Sequence, residues 1–124
     1  MKLTKNFQLS EFACNDGTPV PEKLVCNVVL LANNLQALRD EIGESLTILS
    51  GYRTPAWNAK VGGATKSMHK EAKAADLTTR SFTPKQLHAK ILTLIKVGKM
   101  QDGGLGLYKS FVHYDIDRPR RWNG

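Results

Sequence analysis

No long hydrophobic run occurs in this sequence. Its apolar stretches, such as Val28 to Ala32, fall far short of the roughly 20 residues that a membrane-spanning helix needs. The start, Met1-Lys2-Leu3-Thr4-Lys5-Asn6, is basic but is followed by no apolar segment, so no signal peptide is visible. Cysteine is scarce. Cys14 and Cys26 are too few for a disulfide framework, and two thiols alone do not make a structural tetrahedral zinc site. They read as two small, partly buried thiols, with a single disulfide in an oxidising compartment as the alternative. Low-complexity stretches, internal repeats and linkers are also missing. With 124 residues there is room for one core, so residues 1–124 are expected to form one domain.

Apolar residues make up 41% of the chain and recur throughout it, which excludes disorder. Eighteen Lys and Arg against eleven Asp and Glu give a formal charge of +7 and ask for an anionic partner, with nucleic acid the first candidate. No nucleic-acid motif accompanies that charge. The basic residues are scattered, among them Lys2, Lys5, Lys60, Lys66, Lys70, Lys73, Lys96 and Lys99.

Leu24, Val28, Leu31, Leu35, Leu38 and Ile42 recur at spacings of three and four, predicting a helix from near Pro21 that Gly43 terminates. Thr83-Pro84 announces a second helix with Leu87, Ile91, Leu94 and Ile95 as its buried stripe, ending by Gly98. Ser45–Ser50 and Phe111–Ile116 alternate as strands, and Ala74–Leu77 reads as a short buried one. After the Gly103-Gly104 turn comes Leu105–Tyr108. Gly51–Ser67 is a polar stretch marked by Gly and Pro. The expected class is α+β: a small mixed or antiparallel sheet with helices packed on one side.

The chemistry is concentrated in Ser67-Met68-His69-Lys70-Glu71-Ala72-Lys73-Ala74-Ala75-Asp76. Asp76 stands within an apolar strand, where an ionised carboxylate is costly without a cation or strong donors. Zinc would satisfy it, with His69 in the loop and His113 in the last strand as further ligands. Two histidines and one carboxylate leave a coordination position open for water. His113 and Asp115 fall on the same strand face. From spacing alone other readings stay open: Asp76 capping a turn or pairing with Arg53, and either histidine being a satisfied core residue.

The succession Ser50-Gly51-Tyr52-Arg53-Thr54-Pro55, Asn58, Val61-Gly62-Gly63-Ala64, Ser67-x-His69, Ala74-x-Asp76 and Phe111-Val112-His113-Tyr114-Asp115 resembles the zinc D-alanyl-D-alanine carboxypeptidase family. That family shares its fold with the hedgehog signalling domain, and the resemblance covers most of the chain. Phe7-Gln8-Leu9-Ser10-Glu11-Phe12 and the first helix are similar to its small single-domain members in bacterial and prophage genomes. By this resemblance His69, Asp76 and His113 are the zinc ligands, and zinc is the cofactor. Ala72 stands where the family usually has glycine, and a positive φ there would add strain. The resemblance implies that Arg53 binds or polarises the substrate near its C-terminus, the alternative being a structural salt bridge near Asp76. Ser67 resembles a substrate-contacting serine; alone, it fits a turn or cap equally well.

Many relatives carry an acidic residue three positions before the last histidine, where this chain has Ser110. Asp115 is the best carboxylate available, either as the general base or as a group that orients a ligating histidine. Glu71 is the weaker candidate and fits a solvated side chain. His88, beside the apolar stripe of the second helix, is expected to be a surface or helix-packing histidine and not a ligand. Tyr52 and Trp57 fit either the substrate groove or core support. Trp122 is expected to close the C-terminal strand region, and Arg118-Pro119-Arg120-Arg121 to form a solvated terminal face.

The implied function is a zinc metallopeptidase hydrolysing peptidoglycan stem peptides, as a D-Ala-D-Ala carboxypeptidase or a cell-wall endopeptidase. Its expected partners are peptidoglycan peptides; it is expected to be a monomer, with no nucleic acid and no membrane span. Ser110 motivates an alternative, a non-catalytic zinc-containing peptidoglycan-binding module; the +7 motivates a second, a basic nucleic-acid-binding domain. The action would be on the wall, in the periplasm or outside, reached by a phage holin, another export route or lysis.

Overall fold

The computed structural model describes residues 1–124. Helix α1 spans Val25–Ile42, and a 3-10 turn at Glu22–Leu24 occupies the start that the sequence assigns to the helix itself. Val28, Leu31, Leu35 and Leu38 are all buried, as their spacing requires. Gly43 adopts φ +71° and donates its N–H to the Arg39 carbonyl, closing the helix. Strand β1 is Leu46–Ser50, and helix α2 is Pro55–Lys60, inside the polar stretch where no element is predicted. Thr54 caps α2 by accepting from the Trp57 N–H, with Pro55 in the first turn. Strand β2 is Ala74–Thr79 and helix α3 is Pro84–Lys96. Thr83 and Gln86 satisfy each other's backbone N–H groups at the start of α3. Strands β3 (Gly104–Leu107), β4 (Val112–Asp115) and β5 (Arg120–Asn123) complete the chain.

The five strands form one mixed sheet in the order β1-β2-β4-β3-β5. All pairs are antiparallel except β3 with β5. The architecture is the expected α+β. Strand β5 is the addition, built from residues assigned to a solvated end. Alternation divides the sheet into two faces. Ala75, Leu77, Leu105, Val112 and Tyr114 lie on one face and belong to the core with α1 and α3. Asp76, His113, Gly106 and Gly104 lie on the other. The register of β1 slips between Ile48 and Ser50, leaving Leu49 as an extra, exposed residue and setting Ser50 opposite Asp76.

Phe7, Phe12 and Tyr52 join the core, and the Phe12 carbonyl accepts from the Tyr52 N–H. Tyr52 is thus a core residue, and Trp57 packs against the same cluster. Cys14 is buried and Cys26 is exposed; both are free thiols. No helix is long and apolar enough to cross a membrane.

Ala72 has φ +55° and ψ +33°, the left-handed conformation, and is 1% exposed. An alanine there carries about 1 kcal/mol of strain relative to glycine, roughly offset by its buried methyl group. Ala72→Gly is therefore expected to change unfolding free energy by less than about 1 kcal/mol. Ala72→Val, β-branched in the same left-handed well and crowding the core, is expected to cost about 2–4 kcal/mol. Denaturant titration of the two variants measures both, and a valine variant as stable as wild type would contradict the backbone account.

Candidate metal centre

The sheet register sets two of the key residues opposite each other: Asp76 on β2 is the cross-strand partner of His113 on β4. The third, His69, sits on a 3-10 turn, Met68–Glu71, whose first N–H groups are capped by Ser67. The Ser67 hydroxyl accepts from the His69 N–H at 3.2 Å. The turn is tied to the chain after β1, because the Arg53 N–H donates to the His69 carbonyl at 3.0 Å. His69, Asp76 and His113 are all buried, and one donor atom of each lies within 4.8 Å of the others.

Hydrogen bonding decides which ring nitrogens converge. His69 Nδ1 lies 2.7 Å from the Gly51 carbonyl oxygen, which only accepts, so Nδ1 carries the proton. His113 Nε2 lies 2.7 Å from Asp115 Oδ2, again an acceptor. The remaining nitrogens, His69 Nε2 and His113 Nδ1, face Asp76 Oδ1 at 3.2 and 3.1 Å. With neutral rings, three lone pairs point at one another. Either both imidazoles take a second proton, or a cation lies among the three atoms. The donor set therefore fits zinc, and both ring tautomers are fixed from behind as metal-ligating histidines usually are.

The charges respond to the same contacts. When both rings carry a second proton and no metal is bound, burial opposes ionisation of Asp76, but hydrogen bonds from His113 and His69 outweigh it and hold the carboxyl well below the usual range. Burial also works against the His113 imidazolium, yet Asp115 and Asp76 outweigh it and raise its pKa. At Asp115, burial is outweighed by the His113 hydrogen bond and then by His113 charge, the Asp117 N–H and Arg120, so its pKa falls.

Arg53 lines the same cleft but is held by three partners. Its Nε donates to Ser50 Oγ at 3.0 Å, Nη1 to Asn58 Oδ1 at 3.2 Å and Nη2 to Asp76 Oδ2 at 3.2 Å. The ion pair with Asp76 that the sequence leaves as an alternative is therefore present, and two of the five guanidinium N–H groups remain free of these bonds. Ser67 is half-buried at the cleft, its oxygen committed to the His69 cap.

Asp115, 0% exposed, is the most heavily hydrogen-bonded carboxylate in the cleft. Oδ1 accepts from the Gly104 and Asp117 N–H groups, both at 3.0 Å, and from Arg120 Nη2 at 2.7 Å. Oδ2 accepts from His113 and from Arg120 Nη2 at 2.8 Å. The expectation of a wholly solvated Arg-Pro-Arg-Arg end is corrected here. Arg118 is exposed, but Arg120 is drawn onto Asp115 because β5 lies beside β3.

Trp122 was expected to close the strand region, and it also lies against the site. Its ring is 5.0 Å from that of His113, and its Nε1 donates to the Tyr108 hydroxyl at 2.8 Å. Tyr108 in turn stacks on Phe111 with ring centroids 4.4 Å apart. These aromatics form one wall of a cleft of about 510 Å³, and the Val61–Ala64 loop lies along it as well. Arg120 and Tyr108 escape the sequence reading of the site, and Asn58 and Phe111 figure there only as motif residues without a role. The signal for Arg120 is Gly104-x-Gly106 on β3, opposite Arg120-x-Trp122 on β5. A Cβ at Gly106 would lie 2.5 Å from the Trp122 indole, and one at Gly104 would lie 2.2 Å from Asp115 Oδ2. Only glycines let β5 side chains cross the strand to reach β4.

Glu71 is exposed and away from the donor cluster, and its carbonyl accepts from Asn27. His88 is half-buried on α3 and remote from the cluster; burial and then Arg121 lower its pKa. Ser110 is exposed.

A one-domain α+β fold with an open cleft and a buried His-Asp-His donor set defines a small metallopeptidase-like protein. The comparison with known families agrees. A model of the family described as peptidase M15 matches residues 5–115, and the chain belongs to that family of zinc D-Ala-D-Ala carboxypeptidase-type metallopeptidases. Among curated proteins, no sequence matches the chain.

Proposed function

We propose that this protein is a zinc peptidase that hydrolyses peptide bonds in peptidoglycan stem peptides, as a carboxypeptidase or an endopeptidase. The observation that carries the reading is the convergence of His69 Nε2, His113 Nδ1 and Asp76 Oδ1 from rings whose other nitrogens are already occupied. These three residues would hold zinc, which when bound polarises a scissile carbonyl and makes hydroxide available near neutral pH. Gly51 and Asp115 keep the two rings in the ligating tautomer. Arg53 shares Asp76 and offers its two remaining N–H groups to a substrate carboxylate or a developing oxyanion. Ser67 positions His69 and keeps its own O–H available to donate to a bound peptide. Of the two roles weighed for Asp115, its contacts support orientation of His113, since its oxygens accept six hydrogen bonds from five donor atoms. The charge of +7 favours adsorption to anionic wall polymers, an attraction that weakens with salt.

One observation favours a second reading, a zinc-containing module that binds peptidoglycan without cutting it. Ser110 is no base, and Asp115 has no free lone pair to take a proton. A single experiment separates the readings. Protein purified with zinc is analysed for metal and incubated with peptidoglycan, and the released fragments are identified by mass spectrometry. One equivalent of zinc is expected, with peptide cleavage that a chelator abolishes and added zinc restores. Zinc without cleavage would select the binding module; protein that takes up no zinc would overturn both.

A further inference from the structure

The metal centre does not end at its three donors. Two cross-strand rows lie side by side on this face of the sheet. In one, Asp76, His113, Gly106 and Trp122 follow one another across β2, β4, β3 and β5. In the next, Asp115 on β4 and Arg120 on β5 stand on either side of Gly104 on β3. Strand β3 supplies only hydrogen atoms where these rows cross it, so the Arg120 guanidinium lies over Gly104 and reaches the far strand. Both Arg120 Nη atoms reach Asp115, Nη2 to both oxygens at 2.7 and 2.8 Å and Nη1 to Oδ2 at 3.3 Å. The Asp115 side chain is 1% exposed and that of Arg120 25%, so water competes little for the pair. The planar fork fixes the carboxylate in rotation as well as in place. Oδ2, the oxygen that receives most from Arg120, is the one that holds His113 Nε2 at 2.7 Å.

We infer that Arg120 is a positioning residue of the metal site: through Asp115 it fixes the ring of His113, so the C-terminal strand sets the protein's affinity for its metal. The chain of contacts runs Arg120, Asp115, His113, with each member held at its far side by the next. Trp122 lies against the same ring from the same strand, 5.0 Å from it. Without Arg120, Asp115 keeps two backbone N–H donors on Oδ1 but loses the only partner besides His113 on Oδ2. The carboxylate is then anchored on Oδ1 alone, so Oδ2 and the imidazole it holds gain freedom to swing. Arg120 is far more than one charge of a basic tail: it lines the cleft and is not among the three donors, so its effect on the metal runs through Asp115.

The inference rests on the zinc-peptidase reading, and the test is arranged to keep the two apart. Wild type, Arg120→Lys, Arg120→Gln and Arg118→Gln are compared for zinc affinity by competition with a chromogenic chelator. Circular dichroism and thermal melting of the metal-free proteins are measured in parallel. Arg118, 77% exposed on its side chain, serves as the control for a charge lost from the same segment. Arg120→Gln is expected to weaken zinc binding about 10- to 100-fold, the range typical of groups that orient a metal ligand. Arg120→Lys, which keeps the charge but not the fork, is expected to fall between it and wild type. Arg118→Gln should stay within about twofold of wild type on the same physical ground, since its side chain is solvated. Folded Arg120→Gln with wild-type zinc affinity would overturn the inference while leaving the peptidase reading intact. Should that variant fail to fold, Arg120→Lys decides the matter: unchanged affinity overturns the inference, reduced affinity in a folded protein supports it. Wild-type protein that binds no zinc overturns the reading itself and the inference with it.

Discussion

Asp76→Asn is expected to cost the protein its metal at ordinary zinc concentrations, and hydrolysis with it. The substitution keeps the shape of the side chain and removes its charge. Oδ1 of Asp76 is the atom on which both histidines converge, and Oδ2 receives Arg53. An amide presents only one oxygen, so one of these two sides must face an NH2 group. Structural zinc sites bind with about 10–16 kcal/mol shared over four ligands, so losing one anionic ligand is worth about 2.5–4 kcal/mol, or roughly a hundred- to a thousandfold in affinity. A second effect acts on the metal-free protein. Arg53 is 15% exposed on its side chain and would lose its only carboxylate, which for a buried pair costs about 3–5 kcal/mol. Metal analysis after dialysis and calorimetric melting measure the two effects separately. An asparagine variant that retains one tight zinc would remove Asp76 from the ligand set.

For Asp115→Asn the expected loss is different in kind. Each carboxylate oxygen already accepts from at least two donors, so whichever way the amide turns, an NH2 group meets Arg120 and either His113 Nε2–H or the Gly104 and Asp117 N–H groups. Facing donors and an unpaired Arg120 are expected to lower stability by about 3–5 kcal/mol. Zinc affinity should fall about 10- to 100-fold, because the His113 ring loses its anchor. The kinetic signature decides between the two roles weighed for this residue. If Asp115 orients His113, saturating zinc restores most of kcat. If it is the general base, kcat stays down by about 100-fold or more with zinc fully bound. Steady-state kinetics over a zinc titration distinguishes the outcomes, and full recovery of kcat would end the case for a base.

Much of this was readable from the chain. The stripe of α1 and the Thr83-Pro84 start of α3 are local patterns whose period matches one element, so they appear without tertiary information. Asp76 was conspicuous because an acid in an apolar strand has no cheap solution, and His113 and Asp115 share a face because strands alternate. Helix α2 was missed because its six residues are too few to show a period. Strand β5 was missed for a related reason. Arg-Arg-Trp-Asn has no alternation to offer, and its partner β3 is parallel to it and fixed by a chain reversal, not by a hairpin signal. With β5 hidden, Arg120 and Trp122 could only be read as a charged end. Gly104 and Gly106 passed as turn residues, although each is needed where a neighbour's side chain crosses the strand.

The sequence by itself determined the parts: one α+β domain, two principal helices, and an aspartate in an apolar strand with two histidines as candidate partners. It did so because helix and strand periods, and the cost of burying a charge, are local properties. Only the tertiary structure decided what each part does to the others. It set Ser50 opposite Asp76 through a bulge, paired Arg53 with that aspartate, filled both oxygens of Asp115 and laid the C-terminal strand over two glycines. These contacts join residues far apart in the chain or in strands whose pairing has no local signature. Direction and distance, which control lone pairs and ion pairs, exist only once the sheet has its register.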